Sequence, residues 1–561
     1  MIIKLKSANV YDPHNKVFNK KKDILIKDGK FISSLTNDEK IHKTIDCRDK
    51  IVMPGAIDIH THIGGGKVNI ARLMLPDFHN EFSDKYDITA ICAPSTIKTG
   101  LKYIEMGYTS CFEPALLPIN ARQAHSEMAD IPFVDKGGYA LLGNDDFFLS
   151  LLTKKASQSI INDYVAFILH ATQSIGIKVV NPGGINAFKF NQRSLDVDEK
   201  SKKYNVTPRE VISKLTRAIY DLGIPHPLHV HCSNLGIPGN FLSTIQTIKA
   251  ANGLPIHLTH IQFHSYGNNG DKRFSSAAVE IAEYLNKIDN LTADVGQIMF
   301  GQTVTMSGDS MAQYRNHKHA HPKKWMCMDI ECDAGCGVVP FKYQDKNFVN
   351  ALQWAIGLEI FLLAKDPSKI FLTTDHPNGG PFTSYPHLIK LLMDRSFRNN
   401  ILENLPKDVQ DHTILKSLKR EYSLNEIAVM TRSAPAKILG LENKGNFSSG
   451  SDADIAIYDK SKTDIEEMFA HPSMVIKGGQ IVVENGKIKK YTWGKTQTVK
   501  PEYDKTIEKN LKKFFDKYHT IKLENYIISD EEMSEYIGLS LIHISEPTRP
   551  RLISYAVFCL K

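Results

Sequence analysis

The chain has 561 residues, 42% hydrophobic and 23% charged, with 69 Lys and Arg against 62 Asp and Glu for a net charge of +7. That is enough apolar matter for sizeable cores, which excludes a disordered or collagen-like chain, and so small a charge gives no reason to invoke nucleic acid. No apolar run reaches the roughly 18 residues of a membrane span. The nearest, 351–364, holds Glu359 and reads as a buried helix. The eight cysteines are mostly isolated and Met1 starts directly on strand-like IIKLKSANVYD without a visible leader, so reduced thiols in a cytoplasm are expected.

In chain order, residues 1–52 alternate apolar and polar positions around an Asp28-Gly29 turn, the chemistry of a β-hairpin. The same pattern returns within 436–500, in DADIAIYD and SMVIKGGQIVVENGKIKKY. The two ends therefore predict one small composite β domain. Between them, residues 53–435 alternate strand-like and helical stretches. Strands are expected at 56–62, 108–114, 138–143, 176–181, 227–232, 255–261, 291–296 and 370–375, with helices such as 208–222 and 275–288 between them. Eight such units predict an α/β fold, a (β/α)8 TIM barrel whose active site lies at the C-terminal strand ends. The stretch from Gly296 to Ile370 is long enough to carry an insertion, and 501–538 reads as a charged helical appendage. From Leu539 the chain reads LSLIHISEPTR, PRL and ISYAVFCLK, which matches a transposase-type sequencing adapter in translation. Residues 539–561 are therefore read as non-native, and their removal is expected to cost neither stability nor metal.

The chemistry concentrates at the predicted strand ends. In MPGAIDIHTH, His60 and His62 are two apart and share a strand face. Imidazoles suit zinc and similar borderline metals. GIKVVNPGG puts Lys178 inside a strand, where an ammonium is costly. Carbamylation by CO2 would turn it into an anionic carboxylate able to bridge two cations. PLHVHCSN offers His229 and His231, PIHLTHIQFH offers His257, His260 and His264, and IFLTTDHPNGG ends a strand at Asp375. Singly, these are core histidines, a snorkelling lysine and a turn-capping aspartate. Together, at five strand ends of one barrel, they point to one site.

This constellation resembles the binuclear amidohydrolase superfamily. The blocks MPGAIDIHTHIGGGKVN, GIKVVNPGG, HVHCSNLG, HLTHIQFHSYG, CDAGCGVVPF and LTTDHPNGGPFTSYPH are similar to those of the A subunits of formylmethanofuran dehydrogenases. The resemblance implies two divalent metal ions, zinc by preference. His60 and His62 would hold the first, His231 and His260 the second, with N6-carboxylysine at Lys178 as the bridge. Asp375 would touch the first metal and move the proton. It also implies condensation of formate with the amine of methanofuran to give formylmethanofuran. Formate would come from a tungsten or molybdenum formate dehydrogenase-like partner, within a complex of several further subunits. The alternatives are the hydrolytic subunit of a bacterial formyltransferase/hydrolase complex and a free-standing, hydantoinase-like cyclic amidohydrolase.

Weaker features are read more plainly. Cys327, Cys332 and Cys336 match no common metal spacing and read as structural thiols, and His317, His319 and His321 read as a solvated loop. GGGK at 64–67 lacks the P-loop spacing, but Lys67 and Asn69, just past His62, are candidates to contact an anionic substrate, as is His264.

Overall fold

In the computed structural model, residues 1–75, 92–324, 326–327, 336–536 and 538–544 are described. Eight parallel strands carry the site: β1 (Ala56–Asp58), β2 (Tyr108–Leu116), β3 (Asp135–Leu141), β4 (Gly176–Val180), β5 (Leu228–His231), β6 (Ile256–Leu258), β7 (Leu291–Asp294) and β8 (Ile370–Phe371). Each pairs in parallel with the next. A parallel bridge between Thr61 and His376 closes the ring, with the His62 N–H donating to the His376 carbonyl at 2.9 Å. The expected TIM barrel is therefore present. Its strands are buried on both faces, which explains their nearly continuous apolar composition.

The outer helices start where local chemistry dictates. Helix Pro208–Asp221 opens on a capping box, with Thr207 accepting from the Glu210 N–H, Glu210 reaching back, and Pro208 in the first turn. Helix Phe348–Leu363 is apolar nearly all round and mostly buried, and its Glu359 accepts hydrogen bonds from Ser276, Thr413 and the Ile414 N–H. No helix among the described residues is long and apolar enough to cross a membrane.

The two chain ends share a second sheet. Ile455–Asp459 runs antiparallel to Lys50–Pro54, which joins the Ile2–Asp12/Val17–Lys27 hairpin. The expected turn sits at Asp28 and Gly29, both at positive φ (48° and 81°). The insertion between β7 and β8 contains a small antiparallel sheet, Gly301–Ser307 against Gly337–Tyr343, and a helix, Ser310–Asn316, over the mouth of the barrel. Its sheet was not foreseen, because Gly, Thr and Ser dilute the alternation in GQTVTMS. The helical appendage packs Leu511 and Phe515 of helix Thr506–Tyr518 onto the barrel core.

The segment from Leu539 requires a correction. Leu539–Leu541 pairs in parallel with Thr496–Thr498, and Ile542 is buried beside Gly440. Residues 539–544 therefore do have a partner surface, because their β-branched and leucine side chains extend an existing sheet edge. Residues 545–561 lie outside the described residues. Truncation after residue 538 is now expected to lower stability by about 2 kcal/mol, the worth of one buried isoleucine. Thermal melts of the two chains check this.

Candidate metal centre and active site

Strand register decides which side chains reach the mouth. Lys178, His229 and His257 are cross-strand neighbours on β4, β5 and β6, so they start in one layer of the barrel. The long lysine extends upward from that layer until its Nζ stands 3.4 Å from His60 Nε2. The two short imidazoles stay below. His231 is one strand period further up, and His260 follows the end of β6. His62, Lys178, His231, His260 and Asp375 line one cavity of about 810 Å³, with His60 buried at its floor.

The donor atoms fall into two groups. His60, His62 and Asp375 present atoms within 4.8 Å of one another, with Asp375 Oδ1 2.8 Å from His60 Nε2 and 3.4 Å from His62 Nε2. His231 and His260 pack edge to face at 4.6 Å between ring centroids, and His260 Nδ1 lacks a hydrogen-bond partner among the described residues. One nitrogen of each lies within 4.8 Å of the other, and buried imidazoles gathered in this way suit a cation. The residues present thus fit the implied ions.

Side chains beneath hold these donors. Glu113 Oε1 lies 2.9 Å from His62 Nδ1, while Oε2 accepts from the N–H groups of Ile63 and Gly64. His60 Nδ1 meets His229 Nε2 at 2.8 Å and Asp294 Oδ2 at 3.2 Å. Asp294 also receives the His260 N–H and the Thr373 hydroxyl, and lies 3.1 Å from His257 Nε2. From the insertion, Asp309 Oδ2 comes within 3.6 Å of His231 Nε2. The backbone is bent to fit, with His260 and Asp375 in the left-handed region at φ 34° and 50°. Gly296 is required beside them, since a Cβ there would meet His260 Cβ at 2.3 Å.

Electrostatics follow from burial and neighbours. Burial pushes the Lys178 ammonium down to about 8. Burial lowers His231 and His260, which favours the neutral, ligating imidazole. Burial opposes charge on Asp375, but His260 and His60 outweigh it and hold the carboxyl well below its usual range. His60 is raised, because Asp294 and Asp375 prevail over burial and Lys178.

The remaining candidates divide. Lys67 is buried and lines the cavity. Asn69 is not brought there: helix Gly66–Leu73 turns it to Glu127, and Arg72 Nη1 donates to its Oδ1 at 2.8 Å. His264 lies behind the lining, packed on His231 and His260. His319 and His321 sit exposed at the cavity rim. Cys336 is buried, whereas Cys332 and the side chain of Cys327 lie outside the described residues.

A model of the amidohydrolase family matches residues 43–483. The chain belongs to the amidohydrolase family. This amidohydrolase is 41% identical over 524 residues to the A subunit of the formyltransferase/hydrolase complex Fhc of Methylorubrum extorquens, covering 92% of this chain and 94% of the relative. It is 40% identical over 553 residues to protein FwdA of Methanocaldococcus jannaschii, covering 94% and 96%. Among solved structures it matches the M. extorquens FhcABCD complex with methylofuran at TM-score 0.91 and 39% identity, over 97% of this chain and 100% of the other. A D-aminoacylase matches at TM-score 0.51 and 13% identity, over 88% and 99%, which is a likeness of fold alone. The resemblance to formylmethanofuran dehydrogenase A subunits read from the sequence is thereby borne out.

Sequence reasoning missed Glu113, Asp294 and Asp309. Glu113 had a signal of the same kind as Lys178, a charge inside the apolar strand YTSCFEPAL. Outer-shell partners of metal ligands are typically worth 10–100-fold in metal affinity. Glu113→Gln is expected to weaken metal retention by about that factor with the fold intact, measured by metal analysis after graded chelation.

Proposed function

We propose that this amidohydrolase cleaves and forms the formyl amide of a furan-bearing primary amine, as the A subunit of a multi-subunit complex. The equilibrium is formyl amide plus water against amine plus formate. The observation that carries the reading is the convergence of His62, Lys178, His231, His260 and Asp375 on one cavity, above His60, in a chain so similar to FwdA and to the A subunit of Fhc.

In this reading His60 and His62 would hold one divalent ion, His231 and His260 the other, and carbamylated Lys178 would serve both. Two such ions, zinc by donor type, would polarise the formyl carbonyl and acidify a water. Asp375 takes that water's proton and returns it to the leaving amine. In the condensing direction it moves the same proton back. Burial lowers His231 and His260 and so favours Asp375 over them as the proton carrier, and Lys67 is placed to meet an anionic substrate group. Buried free cysteines at 47, 92, 111, 232 and 336 suit a reducing cytoplasm.

The two relatives are equally similar, so identity does not choose a direction of flux. Condensation requires a supply of formate, as from a tungsten or molybdenum partner that reduces CO2, and hydrolysis requires a formyl donor instead. The purified complex is tested with an N-formylated furfurylamine, following formate release and its reversal. Release by the intact complex supports the reading. Turnover of cyclic amides by the isolated chain, without deformylation, overturns it.

A further inference from the structure

His264 ends the single turn Ile261–His264 that follows His260. Its side chain is fully buried, and neither ring nitrogen has a hydrogen-bond partner among the described residues. Its ring stands 5.0 Å from His231, nearly perpendicular to it, and 5.2 Å from His260. One ring nitrogen of each of these three histidines lies within 4.8 Å of the other two. His260 Nδ1 is unpaired as well, and His231 Nε2 has only Asp309 Oδ2 beside it, at 3.6 Å. A buried imidazole with both nitrogens unpaired is costly in an apolar interior. A cation at the centre of the three rings would take one nitrogen from each of them.

We propose that His264 is a third imidazole ligand of the metal ion held by His231 and His260. The inference rests on the binuclear reading above and goes beyond it, because it makes the two positions unequal. His60, His62 and Asp375 offer two imidazoles and a carboxylate, whereas the second position offers three imidazoles on neighbouring strand ends. Nitrogen-rich sites retain zinc and cobalt better than oxygen-containing ones, which tolerate harder ions. The second ion is therefore the last to leave and the first to return.

The test strips zinc-loaded full-length protein by dialysis against increasing chelator and counts metal per chain by elemental mass spectrometry. The wild type is expected to pass through a one-metal plateau. X-ray absorption of that species is expected to show three imidazoles around the remaining ion. In His264→Asn and His264→Gln the plateau is expected to vanish, with the retention midpoint falling about ten-fold or more. Release of both ions from the wild type in one step, or an unchanged plateau in both variants, overturns the proposal. So do two imidazoles in the wild-type plateau species, a measurement that needs no variant to fold. Variants that keep both metals but bind a formylated amine more weakly make His264 a substrate contact and overturn it too. A wild type that never holds a second metal overturns the binuclear reading along with it, which separates the two failures.

Discussion

Replacing Asp375 by Asn is expected to leave metal content near native while slowing deformylation by roughly 10²-fold or more, the usual scale of a lost general acid–base. Asp375 has an unusual double position. Its Oδ1 points into the gap between His60 Nε2 and His62 Nε2, and its Oδ2 accepts from Asn378 Nδ2 at 3.0 Å. In the proposed reading four imidazoles and the Lys178 bridge would remain to hold the two ions if this carboxylate is neutralised, so the site weakens without emptying. An asparagine keeps the shape and an oxygen toward the histidines, but it accepts no proton at working pH. Burial lowers His231 and His260, which leaves them poor proton carriers beside Asp375. Metal analysis and deformylation are measured on the same purified protein, together with formate oxidation where a redox partner co-purifies. Undiminished deformylation removes Asp375 from the chemistry. Loss of formate oxidation alone would place a redox step on this chain.

The barrel was legible because its strands are short apolar runs that end in histidine, lysine or aspartate, and the hydrophobic pattern and the chemistry mark the same positions. What one sequence could not give was height within the barrel. HVH presents His229 and His231 on one face with equal right to ligate. Only the register beside Lys178 puts His229 under His60, as its hydrogen-bond partner, and His231 at the mouth. Asn69 was misplaced for a related reason. Proximity to His62 along the chain said nothing of the helix that starts at Gly66 and rotates Asn69 toward Glu127. Asp309 was out of reach altogether, because it arrives from an insertion whose folding over the mouth no local pattern announces.

Lys178→Ala is expected to lose most bound metal and nearly all deformylation, with partial recovery of both on adding short-chain carboxylates. The reason starts with the cost of the residue. Lys178 is buried among histidines inside β4, and burial lowers its ammonium from 10.5 to about 8. Before metal arrives, a lysine at about 8 is an uncharged amine in roughly one molecule in ten at neutral pH, against fewer than one in a thousand for an exposed lysine. The free amine adds to CO2 and releases a proton, leaving a carbamate whose two oxygens can face the two groups of donors. Metal then draws the equilibrium toward the carbamate, because binding stabilises only the modified form. Alanine removes the amine and opens a gap of matching shape, which acetate or propionate can fill with one carboxylate. The sign of the pH effect follows. The ammonium must deprotonate first, so reloading of metal-free wild type at a fixed CO2 pressure, which holds dissolved CO2 constant, should speed up as pH rises from 7 toward 8 and level off above it. Lys178→Ala reloaded with acetate should lack that rise. Metal per chain, followed over time at each pH, reads both arms. A variant that keeps two metals without any carboxylate, or a wild type indifferent to bicarbonate, removes the bridge from Lys178.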